Sequence, residues 1–402
     1  MAAEQRSLTP AGDGRALYVL FFVVFLNMAG FGVVIPLLPF FAKSFSAPAW
    51  AVFVLFSAYS LGNFFAEPIW GRLSDRIGRR PVLMITILGN GLTYLLLAFA
   101  PTIWAAIAVR FASGLLAGNI STIQGYVADV TPPERRSARL GMMGASFSMG
   151  FVTGPTLGGL LAHPEAGTVG FRPPLYLAFG LCVLAFIGVA RYLVETRQLH
   201  SDAPRRRRFE GVRDAFRNPV IWRVISVSLI SVGGFAGMEA SFGLWANARF
   251  DWGPREIGLC FMVIGITAAF AQSMLAGRLA RRIGETPTLM LGLALIGAGF
   301  AVQPFVTLWP IAVIAMVTVA LGQSLTFPNI GAVISRAAPP ERQGEMLGLN
   351  MAGMALARIV GPLAAAPLFA LDIGAPFAVA AVLILPALFM ANEVRRNVRK
   401  LA

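Results

Sequence analysis

The stretch Gly71-Arg-Leu-Ser-Asp75-Arg-Ile-Gly78-Arg79-Arg80-Pro81-Val-Leu-Met84 returns 206 residues later as Gly277-Arg-Leu-Ala-Arg281-Arg-Ile-Gly284-Glu285-Thr-Pro287-Thr-Leu-Met290. A second segment, Thr131-Pro-Pro-Glu-Arg135, returns as Ala338-Pro-Pro-Glu-Arg342 at an offset of 207. Each copy leads to a Gly-Pro pair, Gly154-Pro155 and Gly361-Pro362. Two matches at nearly one spacing mark a chain built from two like halves. Around these loops the sequence is apolar. Runs at about 17–41, 49–70, 82–100, 103–126, 138–162 and 173–194 precede an arginine-rich stretch with Arg205 to Arg208 in a row. Six more runs follow at about 220–245, 256–277, 287–305, 309–332, 346–370 and 374–392. Each is close to the roughly 20 residues with which a helix crosses a bilayer core. The expected fold is an all-α membrane protein of twelve transmembrane helices in two pseudo-symmetric six-helix bundles. The bundles fall at 1–194 and 220–402, joined by a linker at 195–219.

Composition agrees with lipid as the solvent. Of 402 residues, 57% are hydrophobic and 13% charged, where a soluble chain carries about 25% charge. The net charge of +14 raises nucleic acid as a partner, but the arginines sit in short loops and no basic domain remains to present a groove. Nucleic-acid binding is excluded on that distribution. With both termini in the cytoplasm, 27 of the 33 basic residues lie on the inner side. Lys43, Arg172, Arg249 and Arg255 fall outside, and Arg110 and Arg358 lie within spans. The positive-inside rule therefore predicts a multi-pass protein with cytoplasmic termini. The first run, after Arg6 and Arg15, is too long for a signal peptide and lacks a small-residue cleavage site, so it reads as the first span. Cys182 and Cys260 lie in apolar runs without metal or redox spacing. His163 and His200 lie in loops, with no nucleophile–base pairing. Neither an enzyme, a metal nor a cofactor is expected.

At this point the residues carry a resemblance. The 71–83 stretch is similar to the signature loop between spans two and three of the major facilitator superfamily. Gly150-Phe-Val-Thr-Gly154-Pro155-Thr-Leu-Gly158-Gly159 resembles that family's antiporter motif in span five, and Arg110-Phe-Ala-Ser-Gly114 the span-four motif tied to proton coupling. Order and spacing agree along the whole chain, and the first half is nearest to the tetracycline-efflux branch of the drug:proton antiporters. The resemblance implies an exporter of small amphipathic or lipophilic compounds in the bacterial inner membrane, driven by the proton gradient, with protons and lipid as its other partners and a monomer as its form. A dedicated exporter or flippase of a lipid-linked or siderophore-like metabolite is the alternative on the same fold. The resemblance also implies that Asp75, Arg79 and Asp129 form a charge cluster that latches the outward-open state. A purely topological role is the competing reading. Gly71, without a side chain, admits a neighbouring helix at the inner face. Gly150, Gly154 and Gly158 share one helix face beside Pro155, which packing alone accounts for; their antiport role comes from the resemblance. In the tetracycline branch, acidic residues match Asn27 and Thr93. An amide and a hydroxyl cannot trade a proton or hold a metal–drug chelate as those acids do.

Ionisable side chains in a bilayer cost roughly 2.5–3.5 kcal/mol each on insertion scales, which makes each a functional candidate. Glu67, Arg110, Glu239 and Arg358 are the ones here, on spans two, four, seven and eleven. In the family's fold these spans line the cavity or join the halves. At about 1.5 Å of rise per residue, Glu67 and Arg110 lie too far apart in depth to touch. Glu239 is the expected proton carrier, with Phe235 and Trp245 as a wall for an apolar substrate. Arg110 is a coupling residue by resemblance. Glu67 reads equally as a proton carrier and as part of the inner latch. Arg358 reads as an anion-binding group or as a partner for a glutamate. Asn27, Asn119 and Gln124 are expected to donate and accept hydrogen bonds to a substrate.

Overall fold

A computed structural model describes residues 13–196, 215, 217–339 and 342–401. Most of the 195–219 linker, with Arg205 to Arg208, lies outside the described residues, as do His200, Pro340 and Glu341. Among the described residues, eleven helices are long and apolar enough to cross a membrane. The twelfth crossing, Pro133–Leu161, is as long but opens on a charged turn. Span one is Leu17–Ser44, which includes a short helix after a break at Ile35–Leu37. Spans two to six are Trp50–Ile77, Arg79–Ala98, Ile103–Val130, Pro133–Leu161 and Pro164–Tyr192. Spans seven to twelve are Pro219–Phe250, Pro254–Ile283, Glu285–Phe305, Trp309–Ala337, Gln343–Leu371 and Ala375–Asn397. The fold is all-helical, as the sequence predicts.

Local chemistry sets the helix ends. Thr102 caps span four by accepting from the Ala105 N–H at 3.2 Å. Asn218 caps span seven by accepting from the Val220 and Ile221 N–H groups at 3.0 and 3.3 Å. Its amide also donates to the Ala337 carbonyl at 3.2 Å, tying span seven to the end of span ten. The internal repeat reaches down to backbone angles. Gly78 has φ 104 and ψ 159, and its counterpart Gly284 has φ 93 and ψ 161. Only glycine adopts that region freely, so the two repeat loops share one forced turn.

Within each half, span one packs on spans five and six, span two on span four, span seven on spans eleven and twelve, and span nine on span ten. The halves meet through spans five and eight and spans two and eleven. We call the face that carries the 71–80 loop, the start of span one and the end of span twelve the basic face. The described contacts between halves lie toward the opposite face. Ser57 donates to the Ile359 carbonyl at 3.0 Å, Phe53 meets Phe369 with ring centroids 5.7 Å apart, and Lys43 donates to Asn247. A Cβ on Gly258 would stand 2.5 Å from the Pro155 carbonyl oxygen.

Span five shows why small residues were needed. The helix runs on through Pro155. Cβ atoms added at Gly150, Gly154 and Gly158 would stand 2.6, 2.4 and 2.1 Å from the carbonyl oxygens of Phe25, Ala29 and Val33 on span one. In lipid, such close approach supplies the dispersion contacts that hold helices together. Gly158→Ala should cost about 1–3 kcal/mol by overpacking and lower the melting temperature of the purified protein. Gly144→Ala, with no atom within 4 Å of its new methyl, should leave melting unchanged.

Candidate functional site

Three of the four ionisable groups within the spans, Arg110, Glu239 and Arg358, are brought to one region by both halves, and Glu67 stands apart from them. Arg110 is 2% exposed, with its guanidinium 4.5 Å from the centre of the Tyr59 ring on span two. Its Nε and Nη1 have no hydrogen-bond partner, an expensive state for a buried cation. Glu239 is 7% exposed and makes no ion pair among the described residues. The charges acting on it are Arg358 first and Arg110 second. Arg358 is exposed and makes no hydrogen bond or ion pair among the described residues. Glu67 and Arg110 do not touch, in line with their depths. The Glu67 carboxylate instead accepts from the Ser121 N–H at 3.3 Å.

Beside this region lies a neutral polar cluster. Asn27 donates to Asn119 at 3.4 Å, and Asn119 donates to Thr86 at 3.1 Å, joining spans one, three and four. Thr93 donates to the Asn90 carbonyl at 2.6 Å, and the Asn90 side chain accepts from Ser113 at 2.8 Å. Gln124 is exposed and stands apart from this cluster, and Phe235 is half-buried. Two expectations change. Span four is interrupted: helix Ile103–Ala117 ends, and helix Ile120–Val130 begins after Gly118 and Asn119. Trp245, expected at the substrate wall, is 1% exposed. It stacks near Phe242 and meets Phe250 and Phe377 edge-on. Aromatic partners take up its ring, so it is part of the packing core.

At the basic face, Arg79 bonds Asp75 at 3.0 Å and Asp129 at 3.2 Å, and donates to the Ser74 hydroxyl at 2.7 Å. The guanidinium lies over Gly125, where a Cβ would stand 2.5 Å from its Cζ. Gly71 gives similar room to span four: a Cβ there would stand 3.2 Å from Ser121 Oγ. Two members of this network are absent from the sequence reading. Glu195 accepts from the Arg79 and Arg80 backbone N–H groups at 2.9 and 3.0 Å, capping span three. Thr196 donates to Asp129 at 3.4 Å. The repeat itself pointed to a third feature. Asp75, Arg79 and Asp129 correspond to Arg281, Glu285 and Arg336, with every sign reversed. The second half makes the matching pair, Arg336 to Glu285 at 2.9 Å.

Comparison with known proteins agrees with this architecture. The family model for the Major Facilitator Superfamily matches residues 20–293 and 240–400. The tetracycline resistance protein of class C from Escherichia coli is 30% identical, over 89% of this chain and 90% of that protein. The quinolone resistance protein NorA of Staphylococcus aureus is 25% identical, over 90% of this chain and 92% of that protein. Among solved structures, the human organic anion transporter MFSD10 (TETRAN) matches with a TM-score of 0.70 at 24% identity, covering 95% of this chain and 100% of that one. A bacterial homolog of the human lysosomal transporter Spinster matches with a TM-score of 0.77 at 13% identity, covering 96% and 98%. The chain belongs to the major facilitator superfamily, a family of membrane transporters.

The closed opposite face is open to chemical test. In a Cys182→Ser, Cys260→Ser background, Lys43→Cys with Asn247→Cys should cross-link through a short thiol reagent in the resting protein, seen as a shift in electrophoretic mobility after cleavage of the linker. Absence of any product would mean the halves do not meet there.

Proposed function

We propose that this protein is a proton-coupled antiporter that exports small amphipathic or lipophilic compounds by alternating access. The observation that carries the proposal is Glu239: a buried carboxylate on the second half, acted on by Arg358 of its own half and Arg110 of the other. A group so placed senses any change in how the halves sit, which is what coupling a proton to a conformational cycle requires. The relatives support the efflux reading, since their names refer to resistance against tetracycline and quinolone.

In this reading the protein lies in the bacterial inner membrane with its basic face and both termini on the cytoplasmic side, and the proton gradient is the energy source, with no cofactor. The protein acts as a monomer. With the halves joined at the opposite face, the passage is accessible from the cytoplasm. Substrate enters past Phe235 and the Asn27–Asn119 pair, and Glu239 exchanges its proton for substrate. In the outward-open state the Asp75–Arg79–Asp129 cluster holds the inner face shut. The Gly150–Gly154–Gly158 face of span five keeps span one in register while the halves rock.

One observation favours the second reading, an exporter or flippase of a lipid-linked or siderophore-like metabolite. Arg358 is exposed within the membrane span and unpaired among the described residues, which suits an anionic head group. A drug-susceptibility panel in a pump-deficient host, set against lipid analysis of a deletion strain, separates the two.

Glu239→Gln should abolish proton-driven export from energised vesicles while leaving substrate binding within about threefold of wild type, because the amide keeps the shape and loses only the titratable charge. Normal export by that variant would remove Glu239 from the mechanism.

A further inference from the structure

The interruption in span four is closed from span two. In an unbroken helix the Asn119 N–H would reach the Leu115 carbonyl, and the Ser121 N–H the Ala117 carbonyl. Here the Asn119 N–H turns back to the Ala117 carbonyl at 2.8 Å, with Gly118 at φ −73 and ψ 51. That is an inverse γ-turn. It releases backbone groups inside the membrane, among them the Leu115 carbonyl and the Ser121 N–H, where no bulk water can take them. Trp70 takes the first, its Nε1 donating at 2.6 Å. Glu67 takes the second at 3.3 Å, with the Ile120 N–H also in reach of its carboxylate. Three residues apart, these two side chains share one helix face. Gly118 lets that face approach, since a Cβ there would stand 2.6 Å from Ala66 Cβ and 2.9 Å from the Glu67 nitrogen.

The second half lacks this arrangement. The repeat offsets set Ser273 and Ala276 against Glu67 and Trp70, and Pro328, which has no N–H, against Ser121. Span ten is helical without interruption from Trp309 to Ala337.

We infer that Glu67 and Trp70 form a staple across a hinge in span four, that the ionised Glu67 carboxylate holds the hinge shut, and that a proton on it releases the inner half-helix. A carboxylate is favoured at the N-terminus of an 11-residue helix by its free N–H groups and dipole, and a neutral acid loses that attraction. The hinge stands between two functional clusters. Asn119, in the interruption, holds Asn27 and Thr86, and Asp129, at the far end of the same half-helix, holds Arg79. Opening at Glu67 is thus felt in both. Ser121 faces the carboxylate from span four, and Tyr59 on its own span is the titratable group electrostatically linked to it. Arg79, Arg110, Asp129, Glu239 and Arg358 stand on neighbouring spans, and among the described residues none contacts it. Trp70 and Glu67 are positioning residues. Only the consequence for export rests on the transport reading.

Hydrogen–deuterium exchange of the full chain in lipid nanodiscs tests the hinge without any substrate. After correction for intrinsic pH dependence, wild-type amides 119–121 should be protected at neutral pH and lose protection on acidification. Glu67→Gln, which keeps an acceptor oxygen but no charge, should exchange roughly tenfold faster and show no pH dependence. Trp70→Phe should exchange faster yet keep the pH dependence. A pH-independent wild type, or a Glu67→Gln variant that matches it, would overturn the inference. Should the variant fail to fold, the wild-type pH series decides alone. Absence of proton-driven export by the wild-type protein, with hinge exchange as expected, would count against the transport reading and not against the staple.

Discussion

A polar group inside hydrocarbon has no water to fall back on, so each one must find a partner within the chain or face a wet passage. That constraint runs through the whole molecule. It makes every crossing a helix, because only a helix bonds its own backbone within one segment. It also explains the cost of interrupting one. Of the backbone groups freed at Gly118 and Asn119, the Leu115 carbonyl is met by Trp70 and the Ser121 N–H by Glu67, and without those partners both would be left unbonded in lipid. Charges strain the same rule, since the buried Arg110 leaves its Nε and Nη1 without a hydrogen-bond partner among the described residues. Arg110 lies over the Tyr59 ring, and Glu239 lies within the fields of Arg358 and Arg110.

The close packing of the halves follows from the absence of a hydrophobic drive between helices in lipid. Glycine faces take its place, with span five set against span one and against span eight. In the proposed cycle, the surface between spans five and eight is one at which the two halves would separate and rejoin. Contacts toward the opposite face are apolar or singly hydrogen-bonded, as between Ser57 and Ile359 or Phe53 and Phe369. At the basic face, by contrast, the first half carries the Arg79 cluster and the second the Arg336–Glu285 pair, with the charges exchanged at matching positions.

The features legible in the sequence were those encoded locally. Apolar runs gave the spans, and the repeated loops gave two halves, down to glycines of positive φ at Gly78 and Gly284. The interruption of span four was illegible because Gly118-Asn119 sits inside an apolar run, and its cause lies on another helix. Glu195 and Thr196 were hidden for a similar reason: they follow span six in sequence but bond to spans three and four. Trp245 was misplaced because its neighbours in sequence suggested a binding wall, whereas Phe377, from span twelve, closes over it in space. The reversed charge cluster was visible at the repeat offset and needed only a comparison of signs between Arg79 and Glu285.

The central claim is that ionisable groups persist within the spans because they face the passage between the halves. Labelling by a membrane-impermeant thiol reagent tests it most directly, with Arg358→Cys in a Cys182→Ser, Cys260→Ser background. The account predicts modification of Arg358→Cys from the cytoplasmic face, and none of Leu356→Cys, an exposed apolar position two residues away. An inert Arg358→Cys, or equal labelling of both positions, would contradict it.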